Sequence, residues 1–235
     1  MLSPWASCSL KKFGGKMVAV GPDWEKDIYS KGRQLNKWPY LEVISAFSAY
    51  LASWNQNRRP RVLEVGCGTG NNLRALGEMG FEVSGIEVSE TAANVARGIL
   101  GTEVEIVCGS MDTLPWGDEK FDYVLDRGGL THVQANLVPS VISEVIRVLV
   151  PEGIFHSETL FSEAHPDRRF GVELPTGSYG SFSSGFFTRV GCTTFFTERK
   201  LRELLSEFRR VTISRSTRHQ GTAIVSEVFG AVAQK

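Results

Sequence analysis

The sequence predicts an α/β fold, a doubly wound parallel sheet with helices on both faces, on three observations. From Arg61 onward, short β-branched runs alternate with helical patterns, which is the signature of βαβ units. The first of these runs ends in a glycine cluster, Gly66, Gly68 and Gly70, that opens a helix. The second ends in a carboxylate, Glu87, about twenty residues further on, where α/β folds place the acceptor for a ribose.

Each element has its own local reason. Pro39 to Trp54 has helical spacing and follows the Trp/Tyr-rich stretch DWEKDIYSKGRQLNKWPY. RVLEV (61–65) reads as a buried strand, and the NNLRALGEMG after it carries Leu73, Leu76 and Met79 at the spacing of one helix face. FEVSGIEV (81–88) is the second strand. Ser89 is the expected N-cap of the helix SETAANVARGIL, with Glu90 at the favourable end of its dipole. VEIVCG (104–109), FDYVLD (121–126) and GIFHSETL (153–160) are the next strands, the last preceded by a helix in VPSVISEVIRVL and a turn from Pro151 to Gly153. Residues 166–191 are rich in Gly, Ser and Phe, follow neither period, and read as a long functional loop. TERKLRELLSEF (197–208) is an amphipathic helix, and RRVTISRST with TAIVSEVFGAVAQ are two closing strands. Residues 1–16 are either a loose extension or an ordered edge segment.

Composition narrows the class. The chain has 235 residues, 42% of them hydrophobic, and its 26 Lys+Arg balance 26 Asp+Glu. One domain of this length buries roughly 70% of its unfolded surface and needs no staple. Balanced charge argues against nucleic acid as a partner, because phosphate backbones are held by clustered Lys and Arg. Cys8, Cys67, Cys108 and Cys192 form no C-x-x-C pair and no disulfide framework, which fits a reducing cytoplasm. Nowhere do 18 apolar residues run together, so no membrane partner is expected. No H-x-x-x-H pair or carboxylate cluster appears, and no metal is assigned.

The glycine turn implies a nucleotide-like cofactor, with backbone N–H groups and a helix dipole at the carboxyl edge of the sheet. A dinucleotide fingerprint needs G-x-G-x-x-G, whereas Gly66-Cys67-Gly68-Thr69-Gly70-Asn71 puts the third glycine one place early. That weakens an NAD(P)-dependent oxidoreductase. It stays as an alternative, as does a non-catalytic cofactor-binding module.

VLEVGCGTG (62–70), GIEVS (85–89), CGSMDTLPW (108–116), FDYVLDRGGLTHV (121–133) and VIRVLVPEGIF (145–155) together resemble the class I S-adenosylmethionine-dependent methyltransferases, over about residues 39–235. The resemblance implies a Rossmann-like sheet of about seven strands, mostly parallel with the last antiparallel. It implies that Glu64 and the turn of Gly66, Cys67, Gly68 and Gly70 hold the methionine part of S-adenosylmethionine, Glu87 and Val88 the ribose, and Ser110 and Met111 the adenine. Where many relatives have G-D-A, this chain has Gly109-Ser110-Met111, so a serine with the Met111 N–H, or Asp112, must serve the adenine amino group.

Methyl transfer needs chiefly positioning, and a base only where the acceptor is protonated. His132 is the candidate base, with a partly buried, hydrogen-bonded loop histidine as the other reading. Asp126 is a candidate for the cofactor's amino group or for the acceptor, and otherwise an exposed strand-end carboxylate. Tyr29, Trp38, Arg127 and His156 are candidate acceptor contacts, with His156 alternatively a satisfied core histidine. Tyr29, Arg33 and Trp38 are expected to close over the cofactor, Arg33 toward its carboxylate or an anionic acceptor. On this reading residues 1–38 are an extension and cover, 39–235 the methyltransferase domain, and 166–191 a substrate loop. The N-terminal stretch resembles bacterial methyltransferases of surface-polysaccharide or small-metabolite pathways, which points to a small-molecule acceptor such as a sugar hydroxyl. The expected assembly is a monomer or homodimer.

Overall fold

A computed structural model describes residues 11–13, 16–18 and 23–235; the rest of the 1–16 segment lies outside the described residues. Lys11–Phe13 pairs antiparallel with Lys16–Val18. The main sheet has seven strands, numbered in chain order: β1 (Arg61–Val65), β2 (Glu82–Glu87), β3 (Glu105–Cys108), β4 (Phe121–Arg127), β5 (Leu149–Phe161), β6 (Arg210–Gln220) and β7 (Ala223–Gln234). Their spatial order is β6-β7-β5-β4-β1-β2-β3. The pairs among β1 to β5 are parallel, and β7 runs antiparallel to both β5 and β6. The predicted sheet is therefore present, with the last strand reversed.

Five helices cover it: α1 (Leu41–Ser53), α2 (Asn71–Glu78), α3 (Glu90–Leu100), α4 (Val138–Val148) and α5 (Glu198–Leu204). The period-two pattern of the central strands divides the core. Leu63, Val65 and Val124 face α4 and α5 through Val141, Val145 and Leu201. Their sequence neighbours Val62, Tyr123 and Leu125 face the other side, against Phe47 of α1, Leu73 and Leu76 of α2 and Ala96 of α3. Ser89 caps α3 as expected, accepting from the Ala92 N–H.

Three boundaries differ from the sequence reading. β5 starts at Leu149, not Gly153: Leu149 pairs with Phe121 and Ile154 with Tyr123, so the expected Pro151–Gly153 turn is an irregularity inside the strand, with Glu152 at φ +65°. α5 stops at Leu204, although Leu205 and Phe208 beyond its end stay buried in the same core as Leu201. Residues 166–191 are ordered, with short 3₁₀ turns at Pro166–Phe170 and Phe186–Arg189 and a small pair Val172–Glu173 with Tyr179–Gly180. Phe187 and Val190 anchor this segment on Phe161 and Phe195.

Candidate active site

At the carboxyl ends of β1, β2, β4 and β5 lies a cavity of about 250 Å³. Glu64, Gly66, Cys67, Gly68, Glu87, Val88, Ser110, Met111, Tyr29, Arg127 and His132 all border it. Residues scattered from 29 to 132 thus meet at the edge where parallel sheets bind ligands.

The glycine turn is built inward. Gly66 and Cys67 donate their N–H groups to the Ile86 carbonyl at 2.9 and 3.1 Å, and Gly70 donates to the Cys67 carbonyl at 3.0 Å. The Gly68 N–H goes to Glu87 Oε2 at 2.9 Å. These four amides are therefore taken up by the protein, which corrects the expectation that they point free toward a ligand. What the turn offers is close approach. Gly66 sits at φ +69°, and a Cβ there would lie 3.2 Å from both the Gly129 backbone and the Met111 side chain. A Cβ on Gly68, at φ +54°, would lie 3.0 Å from the Tyr29 hydroxyl. Gly66→Ala is accordingly expected to lower stability by about 1–2 kcal/mol, the cost of a left-handed non-glycine residue, and to weaken cofactor binding by crowding the cavity floor. Thermal melting with and without cofactor reads both effects.

Three carboxylates gather on neighbouring strands. Glu64 is buried; its Oε1 accepts from Asn72 Nδ2 at 2.7 Å, while its Oε2 has no partner. Burial raises its pKa to about 8, helped by the charges of Asp126 and Glu87. Glu87 is also raised by burial, against the pull of backbone N–H groups including that of Ser89, which reaches Oε1 at 3.0 Å. Glu87 hence ties the glycine turn to the start of α3 as well as facing the cavity.

Asp126 is a correction. Its side chain is fully buried and does not border the cavity: Oδ1 accepts from the Gly129 and Leu130 N–H groups at 2.8 and 2.9 Å, and Oδ2 from the Ser157 hydroxyl at 2.6 Å. Burial raises it to about 6. It is neither an exposed strand-end group nor a ligand contact, but the brace of the turn that leads to His132.

His132 stands on the short 3₁₀ turn Leu130–His132. Its Nδ1 lies 3.1 Å from the Cys192 carbonyl, which can only accept, so Nδ1 carries the proton and Nε2 is the unprotonated nitrogen. Nε2 takes no hydrogen bond from the described residues. Burial lowers the pKa to about 4, so the ring is neutral at pH 7. The Trp24 ring packs edge-on against it at 5.0 Å.

Three further expectations are corrected. His156 is buried between the Tyr123 hydroxyl at 2.9 Å and Glu158 Oε1 at 2.8 Å, away from the cavity, so the core-histidine reading holds. Trp38 is 79% exposed and off the cavity wall; its carbonyl accepts from Asn71 Nδ2 and its ring lies under the Arg74 guanidinium at 6.0 Å. Arg33 is exposed and off the cavity wall, because the chain turns through left-handed residues on both sides of it, Gly32 at φ +68° and Gln34 at φ +58°. Of the expected cover, Tyr29 alone faces inward, buried beside the glycine turn; Trp24, Gln34, Asn36 and Tyr40 complete it. Arg127 borders the cavity, but its guanidinium lies 3.6 Å from the Tyr40 ring centre and its Nε bonds Glu42 at 2.9 Å. Ser110 gives its hydroxyl proton to Asp112, which leaves its lone pairs toward a donor.

Sequence reasoning missed Thr159 on the cavity rim, a β-branched residue at φ +63°. Nothing in the local pattern marks it, since the strain comes from a register shift of β7 against β5. It also missed Glu25, whose carboxylate accepts from the Thr91 N–H and from the Ser89 and Thr91 hydroxyls. Asn71 and Asn72, polar and buried at the start of α2, were the one available signal for the latch between the cover and that helix.

The comparisons with known proteins place this geometry. Residues 62–153 match the family model of a methyltransferase domain. That stretch is similar to a methyltransferase domain, and the fold is the one seen in solved S-adenosylmethionine-dependent methyltransferases. A SAM-dependent methyltransferase of Methanosarcina mazei superposes with a TM-score of 0.61 at 21% identity, covering 79% of this chain and 96% of that one. The 1,6-didemethyltoxoflavin-N1-methyltransferase of Burkholderia thailandensis, solved with its substrate and S-adenosylhomocysteine, also superposes at 0.61 with 22% identity over 88% of this chain and 83% of that one. In sequence, 24-methylenesterol C-methyltransferase 2 of Oryza sativa subsp. japonica is 36% identical over 103 residues, 41% of this chain and 28% of the relative. Demethylmenaquinone methyltransferase of Bacillus licheniformis is 30% identical over 152 residues, 62% of each. The match thus spans less than two thirds of either curated relative. Among the described residues, no helix is long and apolar enough to cross a membrane, and no three His, Cys, Asp or Glu side chains converge as a metal site.

Proposed function

We propose that the protein transfers the methyl group of S-adenosylmethionine to oxygen or nitrogen of a small-molecule acceptor, as a cytoplasmic enzyme acting as monomer or homodimer with neither nucleic acid nor membrane as partner. The observation that carries this is the unpartnered, buried Glu64 Oε2 in a cavity edged by acids. A buried acceptor left open is costly unless a ligand donor meets it, and an ammonium group fits it. The anionic pyrophosphate of NAD does not, since the turn amides it would need are already bonded within the chain.

When bound, the cofactor supplies a methyl group activated on a sulfonium. The chain's part is to bind and orient. Glu64 is assigned to the amino group, Gly66, Cys67 and Gly68 to the methionine part by close approach and not through their bonded amides, Glu87 and Val88 to the ribose, and Ser110 with the Met111 N–H to the adenine. His132 Nε2 receives the acceptor proton, and Asp126 holds the turn that aims it. Tyr29 and Trp24 keep water out.

The test is calorimetry with S-adenosylhomocysteine, run in buffers of different ionisation enthalpy. A cation against Glu64 lowers its pKa from about 8, so binding at pH 7 is expected to release a proton, and affinity to fall as the pH drops further below 8. Glu64→Gln should abolish the release. Proton-neutral binding in the unaltered protein, or tighter binding of NAD than of S-adenosylhomocysteine, refutes the assignment.

A further inference from the structure

Beyond the cofactor half, the cavity has a distinct chemical character. Trp24, His132, Phe161 and Phe186 form an unbroken row of rings along it, with neighbouring centroids 5.0, 6.3 and 5.9 Å apart. Val133 and Val190 extend the apolar surface. Phe186 remains 57% exposed although the other rings of its segment are packed together, so its face is available to a ligand. Among the described residues lining it, the one cation, Arg127, is already matched by Glu42 and the Tyr40 ring.

Few polar groups of the described residues remain open at this end, the Gln134 side-chain amide being one. His132 Nε2 takes no hydrogen bond from the described residues, and neither does the hydroxyl of Thr159. Thr159 sits across from Gly128, whose added Cβ would lie 3.9 Å from the Thr159 Cβ. A β-branched side chain at φ +63° is held there against its own preference, and strain of this kind persists where a side chain must be aimed.

Resting on the methyl-transfer reading above, we infer that the acceptor is an uncharged, flat ring system bearing a hydroxyl or amine, its ring against Phe161 and Phe186 and its polar atom toward His132 and Thr159. A pyranose also stacks on aromatic rings, but it brings several hydroxyls to a place with few open partners, and each one buried unpaired costs about 1–3 kcal/mol. An anionic ring meets no uncommitted cation among the described residues. A flat ring with a single polar handle satisfies the rings together with His132 and Thr159, and leaves the half-buried Gln134 amide to solvent.

The experiment titrates the protein saturated with S-adenosylhomocysteine with three probes: 2-naphthol, 2-naphthoate and methyl β-glucopyranoside. 2-Naphthol is expected to bind, and the other two to bind at least roughly tenfold more weakly. Phe186→Ala, an exposed position, should weaken 2-naphthol by roughly tenfold through lost aromatic contact while S-adenosylhomocysteine binds as before. Thr159→Gly, which removes the strain, should leave the melting temperature equal or higher and still weaken 2-naphthol; Thr159→Ser, keeping the hydroxyl, should retain more of that binding. The inference is overturned if the glucopyranoside or the naphthoate binds best, or if 2-naphthol binding ignores both Phe186→Ala and Thr159→Gly. Failure of S-adenosylhomocysteine to bind at all would instead sink the methyl-transfer reading, so the two outcomes are distinguishable.

Discussion

Deletion of residues 1–38 is expected to abolish turnover and to weaken S-adenosylhomocysteine binding by more than roughly 100-fold, about 2.7 kcal/mol, while the sheet stays folded. The deleted stretch supplies Trp24, Tyr29, Gln34 and Asn36 to the cavity wall. It is latched at two places. Glu25 takes hydrogen bonds from Ser89 and Thr91 at the start of α3, and the Asn36 and Trp38 carbonyls accept from Thr69 and Asn71 at the glycine turn and α2. Without it, the face above Gly68 and Glu87 opens to water, and the methyl donor loses both its shield and its alignment. The two large core clusters draw no buried residue from 23–38, so far-UV circular dichroism should retain the α/β signature. Some stability is lost with Ile28 and Tyr29, both buried, at about 1.5–3 kcal/mol for each large side chain. A truncated protein that binds cofactor and turns over normally would show that the cover is dispensable.

Glu87→Ala should cut cofactor affinity by about 1.5–3 kcal/mol through loss of charge-assisted bonds to the ribose. The structure adds a second effect of comparable size. Gly68 and Ser89 donate their N–H groups to the two oxygens of Glu87, and alanine leaves both buried amides without an acceptor, on the order of 2–5 kcal/mol in fold stability. Glu87→Gln keeps one acceptor oxygen and should fall between. Melting temperature and calorimetric affinity should therefore decline together. An alanine variant with normal affinity would mean that Glu87 does not face the ribose, and one with normal stability that the turn is held by the Ile86 carbonyl alone.

The strands and helices were legible because local pattern reports them directly, whereas their spatial order was not. Val62 and Leu63 belong to opposite cores for no other reason than alternation along a strand. That Glu64, the glycines, Glu87 and Ser110 line one cavity was legible too, since each lies at a strand end and strand ends converge by topology. Asp126 shows the limit of that rule. A strand-end carboxylate was expected at the ligand, but whether its oxygens meet a ligand or the Gly129, Leu130 and Ser157 donors depends on how the next turn folds back.

By itself, then, the sequence determined the alternation of strands and helices and the place of the glycine turn, because period-two and helical spacing act over a few neighbouring residues, while the reversed last strand was implied by the family resemblance. Tertiary structure alone decided the acceptor end. That Arg33 and Trp38 turn outward while Trp24 meets His132, that Thr159 is forced into a left-handed backbone by the pairing of β5 with β7, and that Phe186 lies along Phe161 are contacts between residues far apart in the chain. Which of several local conformations each adopts is set by packing energy that no short stretch of sequence contains.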